Sequence, residues 1–345
     1  MDVFAQLRRF QLDSGAVLNP FTSRISHYGF PQEEGNSFPH APHLLDFTSW
    51  GALRIQGKDR IPFINRLVTI ELKNLNPHHF TQGFWISGKG RFEHRLFFYA
   101  TEDALILLSD QAHCSLLKEK IEKFHFGEDL HWEELPLTGL SLQGKGSKAL
   151  LESLPAFTTL PEKEGTFSSS SPPTSCWIGA LKRFNATEGY DLWIPHEHLL
   201  SVFKQLHEKG AIPLGEDYYT LLRIHHKEPE IHKELTPDLI PLEIPSLVHG
   251  VSFNKGCFPG QEVLARMHNL GHPNKVLCSF KIPLRLYSSK DPFLAEEKPA
   301  GFFTSFSTLP LENYTLALGF LNWRAQKLPL YLLQDQKQIP LEKIS

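Results

Sequence analysis

The sequence predicts an α+β fold, and three observations predict it. Between residues 43 and 124, short runs of strand-like alternation are interleaved with helical patterns. From about Asn274 onward, β-rich runs return between Pro and Gly and no helical pattern separates them. The 345 residues are 41% hydrophobic and 21% charged, an ordinary globular balance. That length accommodates about two or three domains and a core that needs no disulfides.

The elements follow in order. Residues 1–42 read as an irregular N-terminal extension, punctuated by Pro20, Pro31, Pro39 and Pro42 with Gly29 and Gly35 between them. Strand character begins at His43, and Leu53-Arg54-Ile55 alternates. Gly57-Lys58-Asp59 turns the chain into a helix on which Ile61, Ile64, Leu67 and Val68 share a side. Asp59 is placed to cap it with its carboxylate, and Pro62 sits in the first turn, where its missing N–H costs little.

Residues 84–86 and 96–99 read as strands around Gly88-Lys89-Gly90, with a third strand at 104–108. A helix over 112–124 turns Leu116, Leu117, Ile121 and Phe124 inward and leaves His113 and Cys114 outside. The Ser/Pro-rich stretch ending at Pro173 marks a loop or linker, a break near 165–175. Residues 190–194 form a strand. Pro195 then opens a helix with Leu199, Val202, Phe203 and Leu206 inward and Gly210 closing it. Residues 276–282, 301–305 and 315–321 build an all-β tail over 273–345, a small barrel or sandwich.

Charge and cysteine content exclude several classes. Thirty-five basic against 38 acidic residues give a net charge of −3, which argues against direct binding of duplex DNA. The four cysteines, Cys114, Cys176, Cys257 and Cys278, form no C-x-x-C pair, so no zinc or cluster site, and no bound metal, is expected. No apolar run reaches the ~18 residues of a membrane span. Asp2 and Asp13 punctuate a start that lacks a signal-peptide core. The expectation is a cytoplasmic protein with free thiols.

Residues 254–266 carry the densest chemical signal. Gly256 and Gly260 permit backbone angles that other residues resist, and Pro259 suits the first turn of a helix running through Arg266. Cys257 would then precede a helix N-terminus, with Lys255 two residues away. Such a setting favours a thiolate and lowers a cysteine pKa from ~8.5 towards ~3.5–7.5. Glu262 and Arg266 are spaced i, i+4 with the acid first, the better order for a helical pair. The competing interpretation is a structural turn in which Cys257 is a small buried hydrophobe.

Lys255-Gly256-Cys257-Phe258-Pro259-Gly260-Gln261-Glu262 resembles the K-G-C-[YF]-x-G-Q-E signature of the YgfZ-type folate-binding proteins, relatives of the glycine-cleavage T-protein, an aminomethyltransferase. Further resemblance lies in Leu45-Asp46-Phe47 with Leu53-Arg54-Ile55, in residues 189–195, in 210–215 with Leu222-Arg223-Ile224, and in 300–305 with 317–320. It spans about residues 43–323.

The resemblance implies a three-domain ring of the aminomethyltransferase type. Residues 43–272 would form two α+β folate-binding domains, and 273–345 a small β-barrel. It implies a tetrahydrofolate or related folate as cofactor. It also implies client iron–sulfur proteins as partners, tRNA-modifying enzymes among them. Cys257, helped by Lys255, becomes the working residue, with Gly256, Phe258, Gly260, Gln261, Glu262 and Arg266 shaping its loop. Tyr190, Asp191, Arg223, His225 and Arg95 become the folate-binding set. Arg95 stands where the T-protein has the acid needed for aminomethyl transfer, so glycine-cleavage activity is not expected. His225 stands where superfamily members carry a pterin-binding glutamate, exchanging an acceptor-only group for one donor and one acceptor. The alternatives are a non-enzymatic scaffold with a degenerate pocket and a one-carbon transferase using Glu93.

The remaining candidates read as structural. His196 and His198 are i, i+2 and point apart, and His225, His226 and His232 lack helical ligand spacing. Lys89-Gly90-Arg91 and residues 144–148 read as turns, and Trp177, Trp193 and Trp323 as core or rim residues.

Overall fold

A computed structural model describes residues 2–344 except 173, 285, 286, 289 and 335. The chain forms two units. Met1–Arg66, Glu71–Gly83 and His94–Tyr218 make the first, and Leu67–Ile70, Phe84–Glu93 and Tyr219–Ser345 the second.

The chain begins with α1 (Val3–Asp13), β1 (Val17–Leu18), β2 (Ile25–His27) and α2 (Pro31–Glu34). Next come β3 (His43–Phe47), β4 (Trp50–Gln56), α3 (Arg60–Asn65), β5 (Phe80–Ile86), β6 (Phe92–Ala100) and β7 (Ala104–Asp110). Then follow α4 (Gln111–Phe124), β8 (His131–Leu135), β9 (Leu137–Gln143), α5 (Ser147–Glu152), β10 (Phe167–Ser169) and β11 (Trp177–Ala180). The series continues through β12 (Gly189–Pro195), α6 (Leu199–Glu208), β13 (Ile212–Pro213) and α7 (Glu216–His225). β1 and β2 pair with each other, and β3–β13 build a five-stranded sheet in the order β5-β6-β7-β4-β8 and a six-stranded sheet in the order β10-β11-β12-β9-β3-β13.

In the first unit, Phe97, Tyr99, Ile106 and Leu108 of one sheet share a core with Leu137, Phe167 and Trp193 of the other. The Trp193 Nε1–H donates to the Tyr99 hydroxyl at 3.1 Å, so two buried polar tips satisfy each other inside that core. A second core unites β9 and β12 with α1, α5 and α6 through Leu7, Leu140, Leu151, Leu192, Phe203 and Leu206. The inward set foreseen for α6 is the buried one.

Four local expectations are corrected. The N-terminal extension is not irregular throughout: Asp2 caps α1, and Leu7 and Gln11 are buried. Asp59 precedes α3, but its carboxylate accepts from the Asp129 N–H at 2.8 Å instead of capping the helix. On α4, His113 and Cys114 are buried with Leu117 and Ile121, while Leu116 and Phe124 are exposed. β7 runs directly into α4, so the exit direction of the strand fixes the helix phase. Gly51 leaves room for Cys114, whose Sγ lies 3.2 Å from where a Cβ would stand. The stretch near 165–175 is no bare linker: β10 pairs antiparallel with β11 across it, and Pro173 lies outside the described residues.

The second unit holds α8 (Gln261–Asn269), then β14 (Lys275–Pro283), β15 (Pro292–Ala295), β16 (Lys298–Phe306), β17 (Tyr314–Asn322), β18 (Tyr331–Gln334), β19 (Lys337–Pro340) and β20 (Glu342–Ile344). They form an antiparallel sheet in the order β19-β18-β15-β16-β17-β14-β20. It curls around Phe280, Phe293, Phe303 and Leu321 as a seven-stranded half-barrel. The mixed α+β fold and the β-rich C-terminus foreseen from the sequence are both present.

Candidate functional site

The loop before α8 is pinned at two points and open between them. Lys255 is 9% exposed, and its ammonium donates to the Val68 and Ile70 carbonyls at 2.7 and 2.6 Å. Three residues on, Phe258 is buried, with the Lys255 Nζ 5.3 Å from its ring centroid. Gly256 and Cys257, between these anchors, are exposed. Gly260 adopts φ +79°, and a Cβ there would meet the Ser87 carbonyl at 2.5 Å and Gly90 at 2.8 Å. Only glycine allows that close approach at that angle.

The sequence reading of this loop needs two corrections. α8 begins at Gln261 rather than Pro259, four positions after Cys257. The left-handed Gly260 delays the first helical residue. Lys255 is turned inward onto backbone carbonyls, so it positions the loop and does not flank the sulfur as a free cation. Glu262 and Arg266 do pair on α8, at 3.9 Å and largely in water, which makes the pair worth little. Gln261 is half-buried at the helix start.

Cys257 is exposed, whereas Cys114, Cys176 and Cys278 are buried. Burial pushes the Cys114 and Cys176 thiols up to about 12 and raises that of Cys278. A charged sulfur in an apolar surrounding loses hydration that nothing replaces.

The residues foreseen for folate divide between the units. In the first, Asp191 is 1% exposed and opposes Ser141 across β12 and β9. Its carboxylate accepts from the Ser141 hydroxyl at 2.6 Å and from the Arg183 Nε and guanidinium N–H at 3.1 and 2.5 Å. Tyr190 is buried beside it. Arg95 is 8% exposed, donates twice to the Gln82 Oε1 at 3.1 and 2.8 Å, and lies over Phe97. Arg183 approaches the same Phe97 ring at 5.9 Å and Phe47 at 4.8 Å.

In the second unit, Arg223 is fully buried. It lies 3.0 Å from Glu230 and 3.1 Å from Glu234, and donates to the Ser305 hydroxyl at 2.7 Å. A guanidinium consumed in this way has nothing to offer a folate, so Arg223 is a strut of its unit. His225 ends α7 exposed and meets His226 edge-on at 4.9 Å. Burial and that neighbour push the His226 pKa down to about 4.

Folate therefore fits this set unevenly. Asp191 and Arg223 are committed to protein partners, Arg95 spends two donors on Gln82, Tyr190 is buried, and His225, in the other unit, is exposed. Sequence reasoning missed Arg183, Ser141 and Gln82. The Ser141–Asp191 pairing was readable only from strand register, and Arg183 lay outside any motif. Among the described residues, no three His, Cys, Asp or Glu side chains gather as a metal set. Among the same residues, no helix is long and apolar enough to cross a membrane.

Comparison with known proteins bears on the fold and the family. The GCVT N-terminal domain family matches residues 21–255. The aminomethyltransferase of Desulfitobacterium hafniense is 22% identical over 307 residues, covering 84% of this chain and 81% of that protein. The tRNA-modifying protein YgfZ of Colwellia psychrerythraea is 21% identical over 238 residues, covering 68% and 70%. The crystal structure of glycine cleavage system aminomethyltransferase T from Bartonella henselae superposes with a TM-score of 0.82 over 97% of this chain and 94% of that one, at 17% identity. At that identity, the likeness is one of fold.

Proposed function

The chain belongs to the GCVT N-terminal domain family, and from that premise we propose that it is a YgfZ-like folate-binding protein that supports the assembly or maintenance of iron–sulfur enzymes, tRNA-modifying ones included. One observation carries the reading: Cys257 is the exposed thiol of the four, held out by a loop anchored on both sides. The similarity to a protein named as tRNA-modifying supports the same reading.

In this role, Cys257 meets the client. Its thiolate donates an electron pair to iron, and the thiol proton leaves to solvent. A folate would supply one-carbon or redox chemistry when bound, and in the first unit Arg95 and Tyr190 are the residues that would touch it. Arg95 offers guanidinium donors and no acceptor, so it cannot take the proton role of a carboxylate. Aminomethyl transfer is therefore not the proposed activity.

The test is complementation of a strain that lacks its own homologue. Wild type restores the iron–sulfur enzyme activities, and Cys257→Ala folds normally and restores none. Full rescue by the alanine variant refutes the working thiol. Calorimetric titration with tetrahydrofolate tests the ligand separately. No heat at saturating folate favours the scaffold reading, which the protein-bound state of Asp191 and Arg223 supports.

A further inference from the structure

Two segments of the second unit, 263–275 and 313–334, contain no acidic residue. They meet where α8 ends: the Trp323 N–H donates to the Asn274 carbonyl at 2.8 Å. On that seam, the His272 ring lies flat on Trp323, with centroids 5.0 Å apart and planes within 5°. One helical turn earlier, His268 stacks on Phe253 at 4.0 Å and 19°. Trp323 is 36% exposed, a rim position as foreseen, and Leu270 is 66% exposed. Arg266, Arg324 and Lys327 are exposed on the same two segments. Glu262, the nearest acid in sequence, faces Arg266 in an ion pair open to water, which neutralises little.

Flat ring pairs at the surface, exposed cations within four residues of them in the chain, and no acid in either segment, with only the buried Glu243 meeting Lys275 at 3.7 Å, match a ligand that presents planar faces and phosphate charges together. An acidic peptide would use the cations and waste the rings. We propose that this face binds a short unpaired stretch of nucleic acid. A base stacks at the His272–Trp323 pair, and phosphates sit at Arg266, Arg324 and Lys327. Stacking on aromatic side chains is tolerant of sequence, and cations beside the rings hold the backbone. The chain's net charge of −3 keeps the attraction local to this face and the affinity modest. The proposal does not rest on the folate or iron–sulfur reading.

The experiment is fluorescence anisotropy of labelled RNA and DNA oligomers of about ten nucleotides with the full chain at low salt. Binding of either supports the proposal, and the tighter of the two names the source. Three phosphate contacts give a log–log salt slope of about −2 for a single strand. Trp323→Ala weakens binding about tenfold while Trp323→Phe keeps most of it, because a ring is what stacking needs. Arg324→Glu weakens binding about tenfold and flattens the salt slope. Lys118→Glu on α4, in the other unit, leaves binding unchanged. No binding of either oligomer overturns the proposal, as does equal affinity for a duplex of the same sequence. Insensitivity to both Trp323→Ala and Arg324→Glu, or displacement by polyglutamate as readily as by oligonucleotide, also overturns it.

Discussion

The ammonium of Lys255 and the carbonyl of Val68, 187 positions apart in the chain, meet at 2.7 Å. The contact holds the cysteine loop against the 67–70 segment of its own unit. Replacing Lys255 by Met strands the Val68 and Ile70 carbonyls without their donor. A loss of about 2–3 kcal/mol follows, the usual cost of leaving buried polar groups unsatisfied. Urea denaturation measures it. The labelling rate of Cys257 should change in the same variant, because the loop loses one of its two anchors.

A second expectation concerns thiol stoichiometry. At pH 7.5, a maleimide should modify one sulfur rapidly in the native protein and four after unfolding. Cys257→Ala should abolish the fast phase. Burial keeps the Cys114 and Cys176 thiols protonated, with values pushed up to about 12. Mass spectrometry of the labelled protein decides it, and fast labelling of Cys114 or Cys176 would contradict the packing described.

The Arg223–Glu234 pair predicts a large, non-additive effect. Arg223→Met leaves Glu234 charged, buried and without its main partner, at a cost of about 3–5 kcal/mol. Adding Glu234→Gln removes the stranded charge and should recover part of the loss. Denaturant midpoints of the two single variants and the double variant test this. A double variant as unstable as the sum of the singles would show that the two residues do not act together.

His94 predicts acid sensitivity. It is 3% exposed, and neither ring nitrogen has a hydrogen-bond partner. Burial first, then the Lys120 and His113 charges, push its pKa from 6.5 down to about 3. The unfolded chain takes up a proton below 6.5, and the folded chain takes it up only near 3. The stabilising contribution is thus complete above pH 6.5 and is lost as the pH falls through that window, by up to about 1.4 kcal/mol per pH unit. His94→Leu should flatten the fall between pH 6 and pH 4 in thermal melts. An unchanged slope would mean that other groups control acid stability.

The sequence disclosed most where periodicity and burial coincide. The strand around Tyr190 and the inward face of α6 were legible because Leu199, Val202, Phe203 and Leu206 repeat at helical spacing. The phase of α4 was not. Leu116 and Phe124 look like core residues, yet the direct strand-to-helix junction at Asp110 turns His113 and Cys114 inward instead. The role of Arg223 was hidden because Ser305, which accepts its hydrogen bond, lies 82 residues away. For Lys255 the residue type was right and its direction wrong. A local motif reports that a cation is near a sulfur, but not that two distant carbonyls have already claimed it. Exposure of Cys257, by contrast, follows from its place between two anchored neighbours.

β19 and β20 end the curled C-terminal sheet in its pairing order, and only Leu341 separates them in the chain: residues 337–340 pair with β18 and residues 342–344 with β14, each leaving an outer margin. Such margins invite further chains to zip on and grow into fibrils. Here one margin carries Lys337 and Pro340, and the other carries Glu342 and Lys343. Proline withholds a donor, and charge resists being walled in beside a copy of itself. Both devices discourage a second copy from pairing there, and they sit together on the one segment that turns from one end of the half-barrel to the other.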